Sequence, residues 1–433
     1  MVRRSERALW PPAGGPDGET GSSAGSCAYD DSAPLPLDDK CVHGVLGNGL
    51  TFFIQNNVKP AARAELRLVV KIGMRARTCS RCPAGSRIHV QFCRVHTGSV
   101  YESEEEQGLA HMVEHLAFRG TKLYDTFEVV RYLESVGAKF GACQNAYTSF
   151  DETVYEQHIP IDKEGLLEKS LTVLKEWAYH VRCSDEDVEA ERSVVFEEWR
   201  QSRSAAGRSD EDYFHTLMGS SMYAKRLPIG KLDIIKHAKP GTVRGFYQRW
   251  YHPRRMAIIA VGDFDAYAGG CEHVQQLIRQ IFDVAPPHEW TAAEPPAFAE
   301  QGGIKVSVFT DREATSSGIS VDCKRARQPV HNHRDYRRTI IEHLFLEAAS
   351  SRLYKLAVSD DPPFYSASTA ISFPCSTMET MNLSLAVQEG SELAGLESAL
   401  NEIERVRRSS VSWIRACMLC VCECVFENVC LPT

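Results

Sequence analysis

The sequence predicts an α+β protein of two successive domains, each a mainly antiparallel sheet packed with long helices. Three observations predict this fold class. The chain has 433 residues, which is more than one hydrophobic core usually organises. A stretch with four prolines at 285–303 indicates a linker between two parts. In each part strand-like runs come first and long helical patterns follow, an order typical of α+β folds.

The first part follows a leader at 1–38, which is rich in Gly, Ser, Pro and Asp and is predicted to be disordered. Apolar or alternating runs then predict strands, and amphipathic runs predict helices. Ser184 is expected to cap the last of these helices. The predicted strands are 49–55, 64–72, 153–158 and 256–261, and the predicted helices are 108–120, 127–136, 164–181 and 185–202. We assign 39–284 to this first, metal-bearing domain.

The second domain is predicted to span 304–408 and to be truncated. Its pattern gives a strand at 305–310, a helix at 336–358, a strand at 380–388 and a helix at 392–406. Residues 409–433 form an atypical tail, with five cysteines between Cys417 and Cys430. Their dense, irregular spacing argues against a metal site there.

Residues 74–98 interrupt the first domain with a basic, non-periodic segment. Cys79, Cys82, Cys93 and His96 within it have zinc-knuckle-like spacing. We interpret the segment as an insertion, and we favour unstructured or mis-spliced sequence over a structural metal site. A Cys-rich zinc-binding regulator built on this segment and the tail is the weakest interpretation of the whole chain.

Composition excludes several kinds of protein. A net charge of −8 argues against a nucleic-acid-binding protein, which would present a basic face. No apolar run approaches the roughly 18 residues that span a bilayer, so we expect no membrane partner. The N-terminus lacks the apolar core of a secretory signal. We therefore expect an intracellular, by default cytoplasmic, protein, with an organelle as the alternative because Arg3, Arg4 and Arg7 come early.

One helix carries the residues that indicate chemistry. His111 and His115 are four residues apart, so they lie on one face of the helix and could share one zinc ion. Glu114 lies beside the pair and could take a proton from a water molecule that the metal polarises. Two surface histidines on an ordinary helix would give the same H-x-x-E-H string. A third ligand must come from elsewhere in the chain.

The segment GLAHMVEHLAFRGT (108–121) resembles the pitrilysin/insulysin family of zinc peptidases, which carry the inverted zinc motif. The resemblance extends in order through four further segments. These are FGACQNAYTSFDETVYE (140–156), ERSVVFEEWR (191–200), YAKRLPIG (223–230) and FYQRWYHPRRMAIIAVGDFD (246–265). It implies that the two domains form one half, the N-terminal half, of a clamshell peptidase that binds one Zn²⁺ per chain.

The resemblance also implies roles for residues outside the motif. Glu198 matches the third zinc ligand, with the adjacent Glu197 as the alternative. Glu191 matches an acid that lies behind the metal and could orient a histidine. Asn145 and Ala146 match an edge strand to which substrate adds as a further β-strand.

Phe118 resembles an apolar wall of the pocket beside the scissile bond, although plain core packing would explain it equally well. No segment resembles the second half that completes the family's closed chamber. The primary hypothesis is therefore a zinc-dependent endopeptidase that hydrolyses peptides or unfolded segments. The alternative is a catalytically incomplete half-subunit that binds zinc and peptides and needs a C-terminal half or a partner subunit.

Overall fold

The structure is a computed structural model that describes residues 31–36, 38, 40–70, 98–285, 296 and 303–409. Three predicted segments therefore lie almost entirely outside the described residues. They are the insertion at 74–98, the linker at 285–303 and the Cys-rich tail at 409–433. Most of the predicted leader lies outside as well. Within the described residues, no helix is both long and apolar enough to cross a membrane.

A six-stranded sheet forms the centre of the first domain, in the order β1-β2-β6-β3-β5-β4. Its strands are β1 (Cys41–Val45), β2 (Thr51–Asn56), β3 (Arg63–Val70), β4 (Gln144–Thr148), β5 (Thr153–Pro160) and β6 (Met256–Gly262). All neighbouring strands are antiparallel except β2 and β6, which run parallel. β4 lies at the edge of the sheet, so one side of its backbone has no strand partner among the described residues.

The first domain contains eight helices among the described residues. They are α1 (Leu109–Arg119), α2 (Glu128–Ser135), α3 (Leu166–Tyr179), α4 (Asp185–Gln201), α5 (Ala205–Met218), α6 (Leu232–His237), α7 (Pro240–Trp250) and α8 (Gly270–Phe282). Of these, α1, α3 and α8 pack directly on the sheet. Short 3-10 turns occur at Ser99–Tyr101, Met222–Lys225, Pro253–Arg255 and Phe264–Ala266. Alternate residues of β3, such as Leu66 and Leu68, are fully buried beneath the helices. This alternation is the period-two pattern from which the strand was predicted.

Helix α1 has a defined entry. Gly108 precedes it with φ of 102°, a left-handed conformation that favours glycine. The buried carboxyl group of Glu102 accepts hydrogen bonds from the N–H groups of Gly108 and Ala110 at 2.9 and 2.8 Å. These two groups are among the helix-end donors that have no partner within the helix. The hydrogen bonds from Glu102 therefore fix the position of the first turn of α1 in the domain.

The second domain contains a three-stranded antiparallel sheet in the order β7-β9-β8. Its elements are β7 (Ser317–Ala326), α9 (His333–Ala357), β8 (Ser366–Cys375), β9 (Met378–Val387) and α10 (Glu392–Ser409). The two helices pack on the sheet and on each other around a separate apolar core that includes Leu353, Leu383 and Ala399. Asn332 and Asp335 form a capping box at the start of α9. The α+β prediction is thus confirmed for both domains.

One predicted strand is wrong. Residues 305–310 alternate like a strand, but they belong to no sheet in the described part of the chain. Val306 and Val308 are 81% and 83% exposed. An alternating sequence forms a strand only where a neighbouring strand can pair with its backbone and a core can bury its apolar side chains. The first strand of this domain is instead β7. The sequence pattern did not predict β7, β1, β8 or helices α5 to α8, and β4 was expected only from the family resemblance.

The end of the predicted leader is tied to the second domain. Leu35 N–H donates to the His331 carbonyl at 3.0 Å, and His333 N–H donates to the Ala33 carbonyl at 3.1 Å. Residues 31–36 therefore belong to the folded part of the chain, although their composition placed them in the disordered leader. Every residue except proline has the same backbone donor and acceptor, so amino-acid composition does not predict such hydrogen bonds.

The two domains meet through a polar contact and an apolar cluster. Asp151, in the turn after β4, accepts hydrogen bonds from the Tyr223 hydroxyl at 2.9 Å and from the Ser376 hydroxyl at 3.1 Å. Ser376 lies in the hairpin between β8 and β9. Phe150 and Met378 belong to one apolar cluster around this contact. The hairpin of the second domain thus contacts the turn that follows the edge strand of the first.

Candidate metal centre

The two histidines of α1 converge as their spacing predicts. Their ring centroids are 4.7 Å apart, and the Nε2 atoms of His111 and His115 are 3.3 Å apart. Both rings are largely covered, with 12% and 19% of their side chains exposed. The helix therefore presents two imidazole nitrogens to one point in space.

Helix α4 packs against α1 and brings a carboxylate to the same point. Glu198 Oε2 lies 3.4 Å from His111 Nε2 and 3.2 Å from His115 Nε2. Zinc bound tetrahedrally at about 2.0–2.1 Å would separate its donor atoms by about 3.3 Å. His111, His115 and Glu198 thus fit a zinc ion in donor type and in spacing. They are the only group of three or more His, Cys, Asp or Glu donors with such spacing in the part of the chain that the structure describes.

Glu197, the acid next to Glu198 in the sequence, pairs with a residue outside the cluster. Glu197 is exposed and pairs with Arg200 at 2.9 Å on the outer side of α4. Consecutive helical residues point about 100° apart, so only one of the two can face α1. Hydrogen bonding to His115 lowers the pKa of Glu198, which keeps its oxygen ionised beside the histidines. The structure therefore brings Glu198, rather than Glu197, to the cluster.

His111 has the surroundings of a neutral ligand. Burial lowers its pKa to about 4. Its Nδ1 is buried and has no hydrogen-bond partner among the described residues. A neutral imidazole with Nε2 directed at the cluster is the form that binds a metal.

His115 is held from behind by a second acid. Its Nδ1 lies 3.0 Å from Glu191 Oε1, and Glu191 Oε2 lies 3.4 Å from Arg119 Nη1. Burial lowers the pKa of His115, but hydrogen bonds to Glu191 and Glu198 outweigh burial and raise the pKa to about 10. A metal bound at Nε2 would displace the proton there, and a carboxylate on Nδ1 would hold the remaining ring proton and so direct the Nε2 lone pair at the metal.

Glu114 lies on the same helix but in a different setting. It is 9% exposed, and Thr148 of β4 donates a hydrogen bond to its Oε2 at 2.6 Å. Burial raises the pKa of Glu114, and the Thr148 hydrogen bond acts in the opposite direction. A carboxyl group placed beside the two histidines on one helix could exchange protons with a molecule bound at the cluster.

Asn145 and Ala146 lie on the edge strand β4, as expected. The Ala146 N–H donates to the side-chain oxygen of Asn145 at 3.0 Å. β5 is the only strand that pairs with β4 in the described part of the chain. An extended peptide could therefore pair with the free side of this strand.

Phe118 is mostly buried in an aromatic cluster. Its ring centroid lies 4.9 Å from Trp177 and 5.4 Å from Phe140. Phe118 is 8% exposed, whereas Phe140 is 52% exposed. Neither Phe140 nor Thr148 was predicted as a site residue from the sequence. Thr148 could have been found from the strand alternation, because it lies two residues after Ala146 on the same face.

Two family comparisons match most of the chain. Residues 86–226 match the insulinase domain of peptidase family M16, and residues 239–412 match the peptidase M16 inactive domain. The chain belongs to peptidase family M16. The N-terminal match contains the whole metal cluster, and the inactive-domain match covers β6 to α10.

Similar M16 proteins are zinc proteases. The chain is 35% identical over 377 residues to a protein named zinc protease PQQL-like from Arabidopsis thaliana, covering 85% of this chain and 36% of that protein. It is 32% identical over 293 residues to the probable zinc protease PqqL of Escherichia coli, covering 67% of this chain and 28% of that protein. The chain thus spans about a third of the length of these relatives.

Solved structures show the same fold. The first half of the periplasmic protease PqqL from Escherichia coli matches with a TM-score of 0.73 and 24% identity, covering 92% of this chain and 79% of that chain. Pitrilysin matches with a TM-score of 0.59 and 14% identity, covering 91% of this chain and 41% of that chain. The expected half-clamshell architecture of the M16 peptidases is therefore confirmed.

Proposed function

We propose that the chain is the metal-bearing half of a zinc-dependent endopeptidase that hydrolyses peptides or unfolded segments. The observation that carries this proposal is the convergence of His111, His115 and Glu198 within 3.4 Å of one another, with Glu114 on the same helix. Family membership and the zinc-protease relatives support it.

The donor set accounts for one zinc ion per chain. When bound by His111, His115 and Glu198, zinc supplies a Lewis acid that polarises water and the substrate carbonyl. Glu114 acts as the general base: it takes a proton from the attacking water and returns a proton to the leaving amine. One water molecule is consumed, and the products are a new carboxylate and a new amine.

Substrate binding is proposed at the edge of the sheet. The free side of β4 at Asn145 and Ala146 would pair with an extended peptide through backbone hydrogen bonds. Because such pairing is made by backbone groups and depends on few side chains of the substrate, it suits unfolded segments of varied sequence. Thr148, on the same strand, contacts Glu114, so a peptide on β4 would lie next to the general base.

A second candidate function follows from length. The chain spans 36% of the Arabidopsis relative and aligns with the first half of Escherichia coli PqqL. A catalytically incomplete half-subunit, which binds zinc and peptides and needs a C-terminal half or a partner subunit to close the chamber, would have the same metal cluster. Groups that stabilise the transition state typically contribute several kcal/mol, so a missing half could abolish turnover without affecting zinc binding.

The test is cleavage of a quenched fluorescent peptide library by the purified 433-residue chain, with and without a zinc chelator. Glu114→Gln should abolish cleavage and retain one zinc per chain, and Glu197→Gln is the matched control on α4. Chelator-sensitive cleavage supports the endopeptidase. One bound zinc without cleavage supports the incomplete half-subunit. Loss of zinc from Glu114→Gln would contradict the role given to Glu114.

A further inference from the structure

Thr148 ends the edge strand directly beside the general base. Its hydroxyl donates to Glu114 Oε2 at 2.6 Å, a length typical of a strong hydrogen bond to a carboxylate. Among the described residues, it is the only hydrogen-bond donor to the Glu114 side chain. One hydroxyl group therefore supplies the hydrogen bond that this buried carboxylate receives from the described residues.

The strand end that carries Thr148 is held rigidly. The next two carbonyls, of Ser149 and Phe150, accept the N–H groups of Ser99 and Val100 at 3.1 and 3.0 Å. Gly98 packs so closely here that an added Cβ would lie 2.3 Å from the Ser149 carbonyl oxygen. Thr148 therefore has little freedom to move away from α1.

Further hydroxyl groups lie behind Thr148 in the core. Thr153 Oγ1 is 3.3 Å from Thr148 Oγ1. The Tyr155 and Tyr251 hydroxyls are 2.8 Å apart and fully enclosed. Thr153 is close enough to the Tyr251 hydroxyl to lower the pKa of that phenol, although burial raises the pKa overall. Thr148 is the member of this group that reaches the carboxylate.

We propose that Thr148 is a positioning residue, whose hydroxyl fixes one carboxylate oxygen of Glu114 and thereby sets the direction of the other. The proposal rests on the general-base role proposed above. A threonine suits the task because its branched Cβ restricts the χ1 angle and so the direction of the hydroxyl. A serine would keep the donor but lose part of this restriction.

Three variants separate positioning from packing. Thr148→Val keeps the shape and removes the donor, and Thr148→Ser keeps the donor. Thr51→Val makes the same exchange at a buried threonine of β2, far from the metal cluster in the sheet order. Thr148→Val should lower kcat by about 10- to 100-fold with little change in KM, because a misplaced base loses much of its contribution. Thr148→Ser should recover most of the loss, and Thr51→Val should match the unmodified chain.

A second measurement does not depend on turnover. Crystal structures of Thr148→Val and Thr148→Ser should show the Glu114 carboxylate displaced in the first and retained in the second, with zinc content unchanged in both. If Thr148→Val does not fold, Thr148→Ala removes the same hydroxyl without adding a methyl group and is judged by the same criteria. An unmoved Glu114, or equal kcat in Thr148→Val and Thr51→Val, would overturn the proposal. If the unmodified chain cleaves nothing, the proposed function fails for this chain, and the carboxylate position still decides the role of Thr148.

Discussion

Glu191 Oε1 lies 3.0 Å from Nδ1 of His115, on the side of the ring opposite the metal cluster. Glu191 is buried, and its second oxygen faces Arg119 at 3.4 Å. The carboxylate belongs to α4, seven residues before Glu198 on the same helix. Helix α4 thus supplies both the acid that completes the donor set and the acid that orients one of the histidines.

Replacing Glu191 should weaken zinc binding without removing a ligand. Glu191→Gln keeps the size of the side chain and loses the charge that fixes the His115 tautomer. We expect zinc affinity to fall by about 10- to 100-fold, as measured by competition with a chromogenic chelator. Glu189→Gln, on the same helix but exposed and paired with Arg192 at 2.9 Å, is the control. Equal affinity in the two variants would show that Glu191 does not act on His115.

The two neighbouring acids of α4 should behave differently. Glu198→Ala removes one of the three donors, so the variant should lose zinc during dialysis. Glu197→Ala removes only a partner of Arg200 on the surface, and such pairs contribute about 0–1 kcal/mol. That variant should retain one zinc per chain by elemental analysis. The reverse result would mean that α4 is rotated relative to α1 in the protein.

Contact between the domains should depend on Asp151. Asp151→Ala removes the carboxylate that accepts hydrogen bonds from the Tyr223 hydroxyl, the Ser376 hydroxyl and the Ser376 N–H. Hydrogen bonds to a charged group contribute about 1.5–3 kcal/mol each, so the free energy of unfolding in urea should fall by about that amount. Asp162→Ala, at an exposed position, is the control and should change little. No difference between these variants would show that the hairpin contact does not stabilise the chain.

Stability should depend on pH through Glu102. Burial raises the pKa of Glu102 from 4.5 to about 8, although the N–H groups of Ala110 and Gly108 oppose this rise. The folded chain then holds a proton that the unfolded chain has already lost. The contribution of Glu102 to stability is therefore complete below pH 4.5 and is lost as the pH rises through about 8.

Urea unfolding of the chelated protein between pH 5 and 8.5 would measure this effect. The slope attributable to one proton is at most about 1.4 kcal/mol per pH unit. Glu102→Gln cannot titrate, so the unmodified chain should lose more stability than this variant across the range. Parallel curves for the two proteins would mean that Glu102 is ionised in the folded chain at all these pH values.

The spacing of apolar residues was sufficient to predict the helices and strands that bury one regular face. The predicted helix 108–120 is confirmed as α1, and the predicted helix 185–202 is confirmed as α4, with Ser184 accepting the Asp187 N–H as its N-cap. The strand predicted at 256–261 is confirmed as β6. Elements were missed where the apolar pattern is short or mixed, as in β1, whose five residues are half-buried or exposed. The strand predicted at 305–310 is wrong for the opposite reason: the alternation is clear, but no strand in the described part of the chain pairs with this segment.

The sequence by itself determined the chemistry that fits within a few turns of one helix. A spacing of four places His111 and His115 on one face, and Glu114 lies beside them by the same helical geometry. The family motifs, read as linear strings, predicted membership that the domain matches confirm. Only the tertiary structure decided which acid of α4 faces α1 and which donor reaches Glu114. Those relationships depend on the rotation and distance of separate elements, which packing sets and local sequence patterns do not specify.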